Sequence, residues 1–326
     1  KLLAQTEYRQ VGKDYKHEMD ISLLADESSS SKTHFFSKTS KELDFTFFDE
    51  SDVILDLQQV SNDSYLKSYK PSSPLIINNN LLTSSLEFNG FNDNLSLNTN
   101  LTVYEDLSKS NNDRYEYVLP SYSLVKRFNS EKLFTGNLEF SSSGSVRNYD
   151  TDVYEKVNSN GLTYSSNLFL TNLGFENGFN LILKNVNSET DNSPSHKDDF
   201  DSTLSSLAEF NSSFPLIKKG KNFDKIITPR ISLRYNPKNT KNKKDDVRQI
   251  NHDNIFALNR LGYGTTYEGG ESFTYGASYV LNNEQDRKVL DLKIANIIRL
   301  EKDENIPTSS SIGQKKSNYV SSLSLN

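Results

Sequence analysis

The chain of 326 residues contains no cysteine, no tryptophan and one methionine. Disulfides and thiolate metal sites are therefore excluded, and stability has to come from packing and backbone pairing. Long apolar runs are missing too. Nothing approaches the roughly 18 consecutive apolar residues of a membrane-spanning helix, so strands are the only route across a bilayer. The helical spacing i, i+3, i+4, i+7 fits no window as well as simple alternation does, and helix-capping signals are lacking.

Chemistry-bearing motifs are equally scarce. The four histidines, at 17, 34, 196 and 252, are too scattered for the HExxH spacing that puts two ligands on one helical face, and each reads as a strand or loop residue. No GxSxG elbow supports a serine nucleophile. Gly262-Tyr263-Gly264 lacks the strand–turn–helix setting of a phosphate loop. The basic run Lys238 to Lys244 is diluted by asparagine and followed by Asp245-Asp246, which argues against nucleic acid. Asp198-Asp199 and Asp245-Asp246 read as solvated loop pairs rather than cation sites. The expectation is a protein that is not an enzyme and holds no cofactor or metal.

Hydrophobic residues make up 34% of the chain and mean hydropathy is -0.67, with a net charge of -6, values that by themselves suggest disorder. The 17 tyrosines and 19 phenylalanines oppose that reading. Alternation reconciles the two, because a strand wet on one face and apolar on the other averages near neutral. Tyr15, His17, Met19, Ile21 and Leu23 stand opposite Lys16, Glu18, Asp20 and Ser22. Leu82, Ser84, Leu86 and Phe88 lead through a turn at 90–94 into Leu95, Leu97, Thr99, Leu101 and Val103, opposite Ser96, Asn98, Asn100 and Thr102. The pattern returns at Phe134, Leu138 and Phe140; at Phe179, Leu181 and Leu183; at Ile227, Ile231, Leu233 and Tyr235; and at Leu290, Leu292, Ile294, Ile298 and Leu300.

Strands of about ten residues are long for a soluble sandwich, where about 5–6 is usual, and match the roughly 9–11 of a tilted membrane strand. Connections near 12–14, 49–51, 90–93 and 128–131 are short, and those near 26–32, 61–81 and 106–113 longer, as periplasmic turns and outer loops alternate in a barrel. The polar stretches 188–199, 236–254 and 301–316 then belong to the outer side. Keeping them there leads us to expect that 158–173 does not cross the membrane. The fold expected is all-β, a large antiparallel transmembrane β-barrel of roughly 14–16 strands with long outer loops and short periplasmic turns. Because the chain opens in alternation and closes in SSLSLN, residues 1–326 read as a fragment of a single outer-membrane β-barrel domain.

Only 14 glycines occur, yet five of them, at 262, 264, 269, 270 and 276, fall close together. Taken alone, they describe a bulged hairpin. Together with Asn254, Phe256, Arg260, Glu268 and Tyr275, however, they form an ordered set: Asn-Ile-Phe, an arginine, Glu-Gly-Gly, Tyr-Gly. This order resembles the barrel domain of the LptD family of lipopolysaccharide-assembly proteins. The segments PSSPLIINNNLLTSSLEFNGF, VYEDLSKSNNDRYEYVLPSYSL, LILKNVN and TPRISLRYNP fit the same order. Thr265-Thr266 and Ser272 stand where the family commonly has Asp-Arg and Arg, so its charge pairing in that outer loop is not carried over.

The resemblance implies transport of lipopolysaccharide to the outer leaflet of the Gram-negative outer membrane through a barrel with a lateral gate. It also implies an LptE-type lipoprotein plug and an LptA-type periplasmic bridge reached through an N-terminal jellyroll. The jellyroll and the terminal, gate-forming strands would lie outside this chain. Ser96, Asn98, Asn100 and Thr102 would face the lumen. Two other readings share the periodicity: another outer-membrane porin or receptor barrel, and a soluble β-rich adhesin-like module.

Overall fold

The computed structural model describes residues 2–25, 31–128, 135–195, 198–238, 240, 249–262, 267–306 and 310–325. Among them, seventeen strands form one antiparallel sheet. The first seven are β1 (Leu2–Val11), β2 (Tyr15–Ala25), β3 (Lys32–Glu42), β4 (Glu50–Val60), β5 (Leu81–Asn92), β6 (Leu95–Asp106) and β7 (Tyr115–Phe128). Then follow β8 (Gly136–Tyr149), β9 (Val153–Ser166), β10 (Phe169–Leu170), β11 (Glu176–Asp191), β12 (Asp199–Ser213) and β13 (Leu216–Lys218). The last four are β14 (Phe223–Asn236), β15 (Gly270–Asn283), β16 (Lys288–Arg299) and β17 (Val320–Leu325). Helix is confined to α1 (Tyr65–Tyr69) and two single 3₁₀ turns. The expected strand number is slightly exceeded, because β10 and β13 are fragments of two and three residues inside connections.

The chain divides into two compact units. One contains β1 to β7, paired in sequence from β1 to β7. The other contains β13 to β17, with β14 between β12 and β15 and β16 between β15 and β17. Sequential antiparallel pairing is what short connections permit.

Burial along the strands is inverted relative to a water-soluble protein. In β14, Ile231, Leu233 and Tyr235 are exposed while Ser232, Arg234 and Asn236 are buried. In β2, Ile21 and Leu23 are exposed and Asp20 and Ser22 buried. In β16, Leu292, Ile294 and Ile298 are exposed on one face and Arg299 is buried on the other. A face of exposed leucine and isoleucine backed by a buried polar face suits hydrocarbon on one side and water-compatible groups on the other.

Three sequence expectations need correction or restriction. Residues 158–166 lie within β9 and Phe169–Leu170 form β10, so most of 158–173 is strand. Asn158 and Asn160 occupy the face shared with Leu162, where they hide the alternation. Their side chains are satisfied sideways, Asn158 Nδ2 to the Tyr122 hydroxyl at 2.5 Å and Asn160 Oδ1 to the Ser142 hydroxyl at 2.8 Å. The connection that makes room for β9 is a three-residue turn at 150–152, with Asp150 and Thr151 at φ of 44° and 66°. Leu82, expected on the outward face, is only 1% exposed, because the long 61–80 connection folds Tyr65, Leu66 and Leu75 into a cluster with it. Phe134 lies outside the described residues.

Candidate functional site

The polar faces of β12, β14, β15 and β16 form a lattice whose rows follow from strand register. The first row is Glu209, Arg234, Ser272, Arg299; the second is Asn211, Ser232, Thr274, Ile297. The third is Ser213, Arg230, Gly276, Ala295, and a fourth aligns Thr228, Ser278 and Lys293. Alternation puts all of these on one face.

The connection from β14 to β15 folds back over this lattice. Asn254 fixes its turn, donating from Nδ2 to the Gln249 carbonyl at 3.0 Å and accepting from the Asn251 amide at 2.8 Å. Ile255 packs with Ala295 and Ile297, and Phe256 joins that cluster while its ring lies 4.5 Å from the Arg230 guanidinium. Arg260 then drops over the first two rows. Its side chain is fully buried and donates to Glu268 Oε1 at 2.8 Å, to Thr274 Oγ1 at 2.9 Å and to Ser272 Oγ at 2.8 Å.

Glu268 is the common acceptor. It also pairs with Arg299 at 3.3 Å and stands 3.9 Å from Arg234, which in turn lies 3.8 Å from Glu209. Arg299 reaches Asp303 at 3.7 Å and the Gly269 carbonyl. Three arginines thus face three carboxylates, a balance that makes burial of six charges tolerable. Burial pushes the Glu268 carboxyl up, but the Arg260 and Arg234 guanidiniums overcome this and hold it below the usual carboxylate range.

The glycines serve this closure. Gly270 opens β15 at φ of 71°, a left-handed conformation that a side chain disfavours. At Gly276 a Cβ would stand 2.6 Å from the Ile294 carbonyl oxygen and 2.7 Å from the Ala295 Cβ, so glycine sets how closely β16 approaches. The Gly269 amide donates to Thr240 Oγ1 at 2.8 Å. Tyr275 points to the other side, its hydroxyl 3.1 Å from that of Tyr319. Asn254, Phe256, Arg260, Glu268, Gly269, Gly270 and Gly276 thus gather around one closure, and Tyr275 flanks it.

A model of the LptD family, described as LPS transport system D, matches residues 31–326. The chain belongs to the LptD family. The comparison with curated proteins finds no match. LptD proteins act in lipopolysaccharide transport and assembly at the Gram-negative outer membrane, with lipopolysaccharide as substrate and the other Lpt components as associates.

Measured against the LptD resemblance, one expectation changes. Charge pairing is present in this loop, carried by Arg260 and Arg299 around Glu268, with Ser272 as a hydroxyl acceptor. Thr265 and Thr266 lie outside the described residues. Sequence reasoning missed Arg234, Arg299 and Glu209. Their signal was a charge at a position flanked on both sides by apolar residues, as in Leu233-Arg234-Tyr235.

In the other unit, Ser96, Asn98, Asn100 and Thr102 follow β6. Thr102 is buried, donating to Asn100 Oδ1 at 2.9 Å; Asn98 donates to Glu87 at 2.9 Å and Asn89 at 2.6 Å; Ser96 is exposed near the turn. The same unit holds a chain that resembles a catalytic relay: Ser22 Oγ lies 2.7 Å from His34 Nδ1, and His34 Nε2 lies 3.1 Å from Asp20. Ser22 and His34 are each 1% exposed, and Tyr65 caps Ser22 at 2.6 Å, so no substrate reaches the hydroxyl. The group reads as a packed polar core. Among the described residues no cluster of His, Asp and Glu has the makings of a metal site; Asp245 and Asp246 lie outside them.

Proposed function

We propose that this chain is barrel wall through which lipopolysaccharide passes from a periplasmic bridge to the outer leaflet. The polar face hydrates the sugar head group, and the acyl chains travel by an apolar route to a lateral opening. Ser96, Asn98, Asn100 and Thr102 contribute to the lumen-facing polar surface, and an LptE-type lipoprotein occupies the lumen. An LptA-type bridge delivers the substrate through a jellyroll domain. No covalent chemistry is assigned to any residue. The observation that carries this reading is the inverted burial of β14 to β16, with Leu233 outward and Arg234 inward, in a chain of the LptD family.

Complementation tests it. Cells depleted of their own LptD-type protein should regain surface lipopolysaccharide when the full-length gene carrying this barrel is expressed. A porin or receptor barrel would leave the defect in place, and a soluble module would not partition into detergent.

A further inference from the structure

Arg260 fills the space over the first two rows of the lattice, and His252, Asp253, Ile255 and Phe256 of the same loop stand over the third and fourth. There the described residues enclose a cavity of about 440 Å³, within the roughly 300–1,000 Å³ of small-molecule sites. Its floor includes Ala277 and Ser278 on the middle strand, small residues between Arg230 and Thr228 on β14 and Ala295 and Lys293 on β16. Phe256 and Ile255 form an apolar roof.

The charges differ from those beneath Arg260. In the first row every arginine meets a carboxylate. The Arg230 guanidinium stands over the Phe256 ring at 4.5 Å and feels the charge of Glu209, but makes no ion pair within 4 Å among the described residues. Lys293 has just a loose contact of 3.9 Å with Asp291. His252 is paired with Asp253 at 3.3 Å, and Glu176 accepts a hydrogen bond from Ser213 at 3.2 Å on the same cavity wall. Two cations held on either side of a small-residue floor, with hydroxyls, the Glu176 carboxylate, the His252–Asp253 pair and an aromatic ring around them, match a sugar bearing an anionic group. Arginine and lysine bind its phosphate or carboxylate, the carboxylate of Glu176 accepts from ring hydroxyls, and Phe256 covers the apolar ring face.

We propose that this cavity is a way station for an anionic sugar unit of lipopolysaccharide, with Arg230 and Lys293 gripping the phosphate or carboxylate and Glu176 a hydroxyl. The site rests on the transport reading above. It names where along the polar face the head group pauses.

The test uses the full-length protein in its membrane, with a photoreactive residue at Thr228 in the cavity or at Asn98 on the other unit's polar face. Adducts are read with antibody to lipopolysaccharide. Lipopolysaccharide should be captured at both positions. Arg230→Gln or Lys293→Gln should lower capture at Thr228 by about tenfold, the scale of one lost charge-assisted hydrogen bond, and leave capture at Asn98 unchanged. Arg230→Lys should restore part of the yield. A heat-modifiable band on gels reports that each variant folds. Phosphatase-treated lipopolysaccharide separates the two anions: lost capture names phosphate, retained capture names carboxylate. Unchanged capture in both glutamine variants, or capture of a protein at Thr228, overturns the way station. Absence of lipopolysaccharide at both positions overturns the transport reading itself.

Discussion

Glu268 is the residue on which the closure over β14–β16 turns, since Arg260, Arg299 and Arg234 all converge on it. Replacing it with glutamine leaves three guanidiniums facing a neutral amide, and uncompensated buried charge costs about 3–5 kcal/mol. Glu268→Gln should therefore expose residues 249–262 to protease in detergent-solubilised protein, and intact resistance would count against the latch. The pH dependence follows from the depressed carboxyl. Its folded value lies below the unfolded value of about 4.3, so its contribution is complete above that value and is lost as pH falls through the folded one. Protease protection should be flat from neutral to mildly acidic pH and decline only below about pH 4. Gly276→Ala makes a second test, because the added methyl meets the Ile294 carbonyl and Ala295. Overpacking of this kind costs about 1–3 kcal/mol, read as a lower urea midpoint than that of Ser278→Ala, where a side chain already stands.

Among the elements, β6 and β9 provide the sharpest comparisons. Arginine at Leu101, exposed on the outward face, should cost about 2–4 kcal/mol of assembly if it lies near the bilayer midplane, and much less at Asn100. The ratio of heat-modifiable to unfolded protein in membranes measures this, and equal tolerance would remove the assignment of faces. Leu162→Arg asks the same of β9, whose extent as a strand the sequence did not reveal. The β14 and β16 faces were readable because Ile231, Leu233 and Tyr235, or Leu292 and Ile294, alternate with polar residues without interruption. The β9 face was not, because Asn158 and Asn160 stand among its outward residues and are satisfied by Tyr122 on β7 and Ser142 on β8. A pattern read along one chain carries no trace of a hydrogen bond made across strands. Arg234 and Arg299 were hidden for a related reason: an arginine on a strand's polar face looks the same whether it meets water or, as here, a carboxylate from a folded-back loop.

At the scale of the whole molecule, a mean hydropathy of -0.67 belongs to strands that expose leucine and isoleucine on one face and bury polar and charged residues on the other, as in β14. The LptD family match over residues 31–326 agrees with the ordered motifs, of which the set from Asn254 to Gly276 lies in the unit that builds the latch and the cavity. The purified chain should accordingly need detergent to remain dispersed, and removing detergent should precipitate it although its composition is that of a polar protein.

The shared partners of Glu268 also constrain how this region can drift. Because each ion there leans on several others, a lone change strands its neighbours, whereas a matched pair of changes need not. Arg260→Leu combined with Glu268→Leu should be less harmful than the sum of the two single replacements. Natural variation at these two positions should therefore arise in step, with one partner seldom lost while the other is kept.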